Sequence, residues 1–354
     1  MTWAAADARA WIWAWADALP VLVGCNYTPA YAQNQIAFWA AETFDPQAID
    51  RELAAAERIG MNALRVYLHD QAWRADPEGF LGRLDLFLAL AAGRGHRVLL
   101  VLFDDCWHEP VPGPQAAPVP GVHNSRWARS PGRARLLDRS GWGELQDYVR
   151  ALAARFGEDE RVLAWDVYNE PCNVVMPLQL SDARRADVLN PAHPERPQMD
   201  AALNLMEAAF GWLRAAETRQ PLTAAVYQES EALGVDARLV PLCDVIGFHH
   251  YGGQADLRTR IAALSAHGRP LMCTEFMARP QGCTVETHLP VLAEARIPAF
   301  CWGLVDGAIQ TKFAWTDEAA DPPAEPDPWF HDVLRADLSP YDPAEAALIR
   351  ETVR

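Results

Sequence analysis

The sequence predicts a single (β/α)8 barrel with long loops on its C-terminal face, and three observations predict it. Short apolar runs alternate with longer amphipathic stretches, the rhythm of βα units on a parallel sheet. Eight such units follow one another with no Gly/Ser-rich or charged linker between them. The apolar runs are continuous rather than alternating, as for strands buried on both faces. The chain has 354 residues, 50% of them hydrophobic, which suits one barrel with a large core. Residues 1–354 therefore read as one domain, with 1–20 as an N-terminal helical extension.

In order, the first strand is expected over Val21–Asn26, followed by a helix from Pro46 to Ile59 with Asp45 as N-cap, Pro46 at its first position and Gly60 past its end. The later strands are expected over Ala63–Tyr67, Val98–Asp104, Val162–Asn169, Leu222–Val226, Val245–His249, Leu271–Glu275 and Ala299–Gly303. Their helices fall near Leu81–Ala92, Trp142–Phe156, Asp200–Thr218, Ser230–Arg238 (the poorest), Asp256–Ala266, Val285–Ala295 and Pro343–Thr352. Trp11 and Trp15 have helical spacing, so a short helix packed on the barrel is expected before the first strand. Pro-rich stretches, Pro110–Pro120 and Pro322–Pro328, follow the third and eighth strands and so belong to the face on which barrel active sites are built.

The formal net charge is -16, which repels phosphate backbones and anionic membrane surfaces, so neither nucleic acid nor a membrane is an expected partner. No run of eighteen or more uncharged apolar residues occurs, and Met1–Pro20 lacks the basic start and uninterrupted apolar core of a secretion signal. The seven cysteines are odd in number and form no CxxC pair, which argues against a disulfide framework. Together these predict a cytoplasmic protein; oligomeric state is open.

Polar residues recur where the strands end: Asn26; Arg65 and Tyr67; Asp104 and Asp105; Asn169 and Glu170; His249 and Tyr251; Glu275; Trp302. In a barrel these positions converge on one pocket. Any one of them alone reads as a salt bridge or loop cap, but the set does not. Glu170 and Glu275 follow the fourth and seventh strands, on opposite sides of the mouth, where two carboxyls can flank one glycosidic bond. Hydrolysis with retention needs one carboxyl to protonate the leaving oxygen and a second, about 5–5.5 Å away, to attack the anomeric carbon. Arg65 can supply a cation beside the attacking group and Tyr251 a hydrogen bond to it. Asn169 can hold a sugar 2-hydroxyl, and Trp302 can floor a sugar ring. His123 and Asn124, and Gln310 with Thr311, are further candidate contacts on top-face loops. His331 and Asp332 read instead as a structural clamp.

Asn169-Glu170-Pro171 after strand four, Glu275 after strand seven, Arg65 after strand two, His249-x-Tyr251 after strand six and Trp302 after strand eight resemble clan A glycoside hydrolases, above all the family 5 cellulase-like group. The resemblance spans essentially the whole chain. It implies a (β/α)8 fold, retaining cleavage of β-glycosidic bonds, Glu170 as acid/base, Glu275 as nucleophile, and supporting roles for Arg65, Asn169, His249, Tyr251 and Trp302. The group's usual histidine after strand three has no clean counterpart; His108 is the nearest candidate. Gly24-Cys25-Asn26-Tyr27 and Trp329-Phe330-His331-Asp332 resemble a less characterised branch of the group.

The long top-face loops and the absence of a secretion signal favour exo action, or action on short oligosaccharides. A transglycosylase would use the same two Glu residues, and a non-catalytic carbohydrate-binding barrel would keep the pocket without the chemistry. Asp104, Asp105, His108, His123, His249 and His250 show no HxH or HExxH spacing, so a metal-dependent barrel hydrolase ranks below these. The expected mechanism needs neither metal nor cofactor.

Overall fold

The computed structural model describes residues 5–173, 187, 190–315 and 324–354. Its strands are β1 (Val23–Asn26), β2 (Ala63–Tyr67), β3 (Arg97–Asp104), β4 (Val162–Asn169), β5 (Leu222–Thr223), β6 (Ala225–Val226), β7 (Ile246–His249), β8 (Leu271–Phe276) and β9 (Ala299–Trp302). All pair in parallel, in the order β5-β4-β3-β2-β1-β9-β8-β7-β6. The two ends of this order, β5 and β6, are halves of one chain segment interrupted at Ala224. Eight staves therefore close into a barrel. The expected fifth strand, Leu222–Val226, is split because its first half pairs with β4 and its second half with β7.

The helices are α1 (Ala5–Asp17), α2 (Gln35–Trp39), α3 (Pro46–Arg58), α4 (Asp70–Ala75), α5 (Pro77–Gly93), α6 (Arg133–Leu137), α7 (Trp142–Phe156), α8 (Arg196–Ala215), α9 (Val235–Leu239), α10 (Gln254–Ser265), α11 (Val285–Glu294) and α12 (Pro343–Val353). Capping explains several bounds. The Asp45 carboxylate accepts from the backbone of Gln47 and Ala48 at 2.9 and 3.0 Å at the start of α3. Gly60, just past α3, has φ +93, and a Cβ there would lie 2.6 Å from the Arg350 Cα of α12, so only glycine fits. Asp76 caps α5 four residues ahead of the expected start. The α8 helix begins and ends earlier than expected, with Pro197 in its first turn. The weak helix expected from Ser230 is delayed to Val235, behind Gly234 at φ +77.

Alternation along the strands sorts the barrel interior into layers. Leu64, Val66, Val98 and Leu100 join the cluster under the helices. Leu22, Ala63, Leu99, Leu163, Val245, Met272 and Phe300 fill the N-terminal end of the barrel, and α1 caps them with Ile12, flanked by Trp11 and Trp15. Ile12 is 3% exposed, and burying such a side chain contributes roughly 1.5–3 kcal/mol. Tyr67, Val101, Trp127 and Trp302 form an aromatic layer at the C-terminal end. Between the two apolar layers lies a polar one, centred on Arg65. All seven cysteines are buried and free. No described helix is long and apolar enough to cross a membrane.

Candidate active site

The polar layer is built on Arg65, whose inward position on β2 leaves it fully buried. Its Nε bonds Asp166 Oδ2 at 2.8 Å. Its Nη1 bonds Asn26 Oδ1, the Tyr67 hydroxyl and Glu275 Oε1 at 2.8, 2.6 and 2.7 Å, and Nη2 bonds Asn169 Oδ1 at 2.7 Å. One guanidinium thus joins β1, β2, β4 and β8. A fork of fixed donors suits this work better than the point charge of a lysine.

Glu275 accepts further bonds from the Tyr67 hydroxyl on Oε1 at 2.9 Å and from the Tyr251 hydroxyl on Oε2 at 2.8 Å. The ladder slips between Phe248 and His249, and again between Cys273 and Phe276. Such irregularities at a barrel rim re-aim side chains, and here they set His249 directly beside Glu275.

Glu170 directly follows β4, with φ +43, and precedes Pro171. That left-handed turn is costly for a non-glycine residue and lifts the carboxyl out of the strand direction. Glu170 Oε2 accepts from the Cys106 thiol at 3.2 Å and from the Asn173 amide. Oε1 lies 2.7 Å from His249 Nδ1, which is also 3.4 Å from Glu275 Oε2. Burial pushes the Glu170 carboxyl above the ordinary range, against the lowering effect of the Cys106 and Asn173 bonds. Burial also pushes His249 down to about 3, so it is a neutral imidazole. The Cys106 thiol is pushed well up by burial and stays a neutral donor.

The two carboxyls each offer an oxygen within 4.8 Å of the other. Inverting pairs stand roughly 6.5–9.5 Å apart to admit a water between them, so this separation fits a retaining pair. Between them opens a cleft of about 410 Å³, part of it open to solvent, lined by Trp107, Trp127, Trp302 and Trp315 as well as Asn124 and Tyr251. Several buried polar atoms in this region have no partner within the protein: both amide atoms of Asn124, His123 Nε2, His249 Nε2 and Trp302 Nε1. Buried polar groups are normally satisfied, so these orphans leave donors and acceptors in and beside the cleft that a polar ligand could pair.

The structure brings Asn26, Arg65, Asn169, Glu170, His249, Tyr251, Glu275, Trp302, His123 and Asn124 to this region. Asn26 lies below the cleft, its amide donating to the Thr274 and Cys301 carbonyls. Asp104 also sits one layer back, accepting from Asn169 Nδ2 at 2.9 Å and Trp127 Nε1 at 2.7 Å. His108 departs from expectation: its side chain is exposed and outside the cleft lining. The chain turns at Trp107, with φ +69, and carries His108 away; Cys106 faces Glu170 instead. Gln310 and Thr311 are structural rather than ligand contacts. Gln310 ties the β3 and β9 loops through Gly121, Val119 and Val122, and the Thr311 hydroxyl bonds the Asp332 carboxyl at 2.8 Å.

Sequence reasoning missed Asp166, Cys106, Asn173, Trp127 and the bond from Tyr67 to Glu275. Asp166 carried a usable signal, since an inward carboxylate in a buried strand requires a partner. The others depend on loop paths. Among the described residues two trios hold ligand-type atoms within 4.8 Å of one another: Glu170, His249 and Glu275, and His250, Cys283 and His288. In the first, the Arg65 cation already occupies Glu275, which disfavours a metal ion there.

The fold and site together define a (β/α)8 barrel with a carboxyl pair at its C-terminal mouth. Neither a protein-family model nor a curated protein sequence matches the chain. Solved structures do. The GH5_18 enzyme from Streptomyces cattleya, solved in complex with GlcNAc, is 16% identical over 95% of this chain and 80% of its own, with a TM-score of 0.61. The endo-β-1,4-mannanase from Thermotoga petrophila is 13% identical over 96% of this chain and 77% of its own, with a TM-score of 0.57. An exo-β-1,4-mannosidase from Opitutaceae bacterium strain TAV5 is 16% identical over 94% of this chain and 59% of its own, with a TM-score of 0.60. At these identities the likeness is one of fold.

Proposed function

We propose that this chain is a retaining β-glycosidase in which Glu170 is the acid/base and Glu275 the nucleophile. The observation that carries the reading is the pair of carboxyl oxygens within 4.8 Å of each other, in unlike surroundings. Glu275 is held by a guanidinium and two phenols. Glu170 is raised by burial, against the lowering effect of its Cys106 and Asn173 donors. Two carboxyls in environments that separate their roles are what double displacement requires.

In the first step Glu170 gives its proton to the glycosidic oxygen as the C1–O bond breaks, and a Glu275 oxygen bonds to C1. In the second, ionised Glu170 takes a proton from water, the water oxygen bonds to C1 and the Glu275 ester breaks. Neutral His249 donates from Nδ1 to Glu170 and presents Nε2 as an acceptor for a sugar hydroxyl. One Asn169 amide hydrogen goes to Asp104 at 2.9 Å and the other to the Cys106 sulfur at 3.4 Å; a sugar 2-hydroxyl would take the place of the weaker sulfur contact. Trp302 floors the ring.

The compact, Trp-walled cleft supports a terminal or short β-linked substrate over a long polymer. The mannanase, the mannosidase and the S. cattleya enzyme solved with Manβ1-4GlcNAc are among the matched structures with mannose-linked names. β-Mannosides and β-glucosides therefore head the test. Wild type and Glu275→Ala are assayed on aryl β- and α-glycosides, with azide added to the variant. The expected result is β-glycoside hydrolysis by the wild type, lost in the variant and rescued by azide as the α-glycosyl azide. Hydrolysis surviving Glu275→Ala would overturn the assignment.

A further inference from the structure

The segment that carries His249 and Tyr251 to the two glutamates is anchored by a second cluster that the glycosidase reading does not use. His250, between them, turns away from the cleft. Its Nδ1 lies 2.9 Å from His288 Nε2, in the first turns of α11, and the Cys283 Sγ lies 3.2 Å from the same His288 nitrogen. All three residues are buried, and the three ligand-type atoms fall within 4.8 Å of one another.

We propose that His250, Cys283 and His288 form a binding site for a soft-ligand divalent cation, zinc by preference, with water in the fourth position. Two imidazole nitrogens and one thiolate are the donor set zinc favours. Its bond lengths place such donors roughly 3.3–3.7 Å apart around a tetrahedral ion, within the range these atoms span after small rotamer adjustments.

The outer contacts support this reading. A metal-ligating histidine donates its other N–H to an oxygen, which fixes the tautomer and aims the lone pair at the ion. His250 Nε2 lies 2.9 Å from Asp256 Oδ2, and His288 Nδ1 lies 2.8 Å from Thr287 Oγ1. With both protons on those outer nitrogens, Nδ1 of His250 and Nε2 of His288 turn their lone pairs toward one another and toward the sulfur. Without an ion Cys283 is a thiol, pushed up to about 12 by burial and donating to the His250 carbonyl at 3.4 Å; the Met277 backbone N–H, which donates to its Sγ at 3.1 Å, remains to support the thiolate once an ion displaces the proton. Both histidines are held neutral by burial, His288 at about 4, which is the form that binds metal. Binding displaces the Cys283 thiol proton, so one proton leaves for each ion taken up. The Asp256 side chain is 73% exposed and marks the route of entry.

The ion would join the β7 turn, the loop before α11 and α11 itself, holding the segment between His249 and Tyr251. The test reads binding rather than catalysis, so it stands apart from the glycosidase assignment. Chelator-treated full-length protein is titrated with cobalt(II), and zinc is then added in competition. One equivalent of cobalt is expected to give a thiolate-to-metal charge-transfer band with tetrahedral visible bands, displaced by zinc. Cys283→Ser is expected to lose the charge-transfer band. Asp256→Asn changes an exposed side chain and leaves the fold intact; it is expected to weaken zinc binding about 10–100-fold. No charge-transfer band in the wild type overturns the proposal, as does a band that persists in Cys283→Ser. Unchanged zinc affinity in Asp256→Asn removes its outer-contact argument and counts against it. A cluster held only by its own hydrogen bonds would bind neither metal.

Discussion

Arg65 Nη1 lies 2.7 Å from Glu275 Oε1, while Nε of the same guanidinium lies 2.8 Å from Asp166 Oδ2. One buried cation thus stands between two buried carboxylates, one facing the cleft and the other sealed in the barrel. The guanidinium both positions Glu275 and keeps the interior electrically tolerable.

Arg65→Met should therefore be costly to stability as well as to activity. It leaves Asp166 and Glu275 without their cation, and breaking a buried pair in this way costs about 3–5 kcal/mol. Urea unfolding is expected to show that loss. Arg65→Met combined with Asp166→Leu should recover part of it, because one of the two stranded carboxylates is gone. Equal stability of the wild type and Arg65→Met would refute the argument.

Glu170→Gln removes the proton donor while keeping the shape. The expected fall in kcat/KM is about 10²–10⁴-fold on substrates with poor leaving groups. It should be much smaller for the glycosylation step with dinitrophenyl glycosides, whose leaving oxygen needs no proton. Azide should rescue this variant with retained configuration, opposite to the outcome for Glu275→Ala. A fall independent of leaving group would place the acid elsewhere.

The high-pH limb of activity should follow Glu170. Its carboxyl is raised by burial and held back by donors from Cys106 and Asn173. A general acid must be protonated, so activity is lost as pH rises through this pKa. Asn173→Ala removes a bond that favours the ionised form. The pKa then rises, and the limb of kcat/KM should move to higher pH. A shift to lower pH would show that the amide does not act on Glu170 in this sense.

Asn124 sits in the left-handed region, φ +50, is 1% exposed and has no partner on either amide atom. Asn124→Gly keeps the backbone conformation accessible and deletes the side chain with both of those atoms. Unfolding free energy should hold or rise slightly, since two unsatisfied groups are removed. If the amide binds sugar hydroxyls, kcat/KM should drop about 10–100-fold, the worth of one or two buried hydrogen bonds. Loss of stability without loss of kcat/KM would make Asn124 structural.

Much of this molecule could be read along the chain. Strands such as Ala63–Tyr67 and Val162–Asn169, and the Trp142–Phe156 helix, match their expected bounds, because continuous apolar runs, caps and amphipathic periods are local signals. The strand-end residues were legible for the same reason, since parallel strands of one barrel all end on one face. What the tertiary structure decided are contacts across long separations. Glu275 meets Arg65 across 210 residues and Tyr67 across 208. The turn at Trp107 put Cys106, rather than His108, against Glu170, and Gln310 became a tie between loops. Loop paths and barrel closure set these partners. They arise from packing summed over the whole chain, whereas periodicity and strand ends express rules that a few neighbouring residues are enough to state.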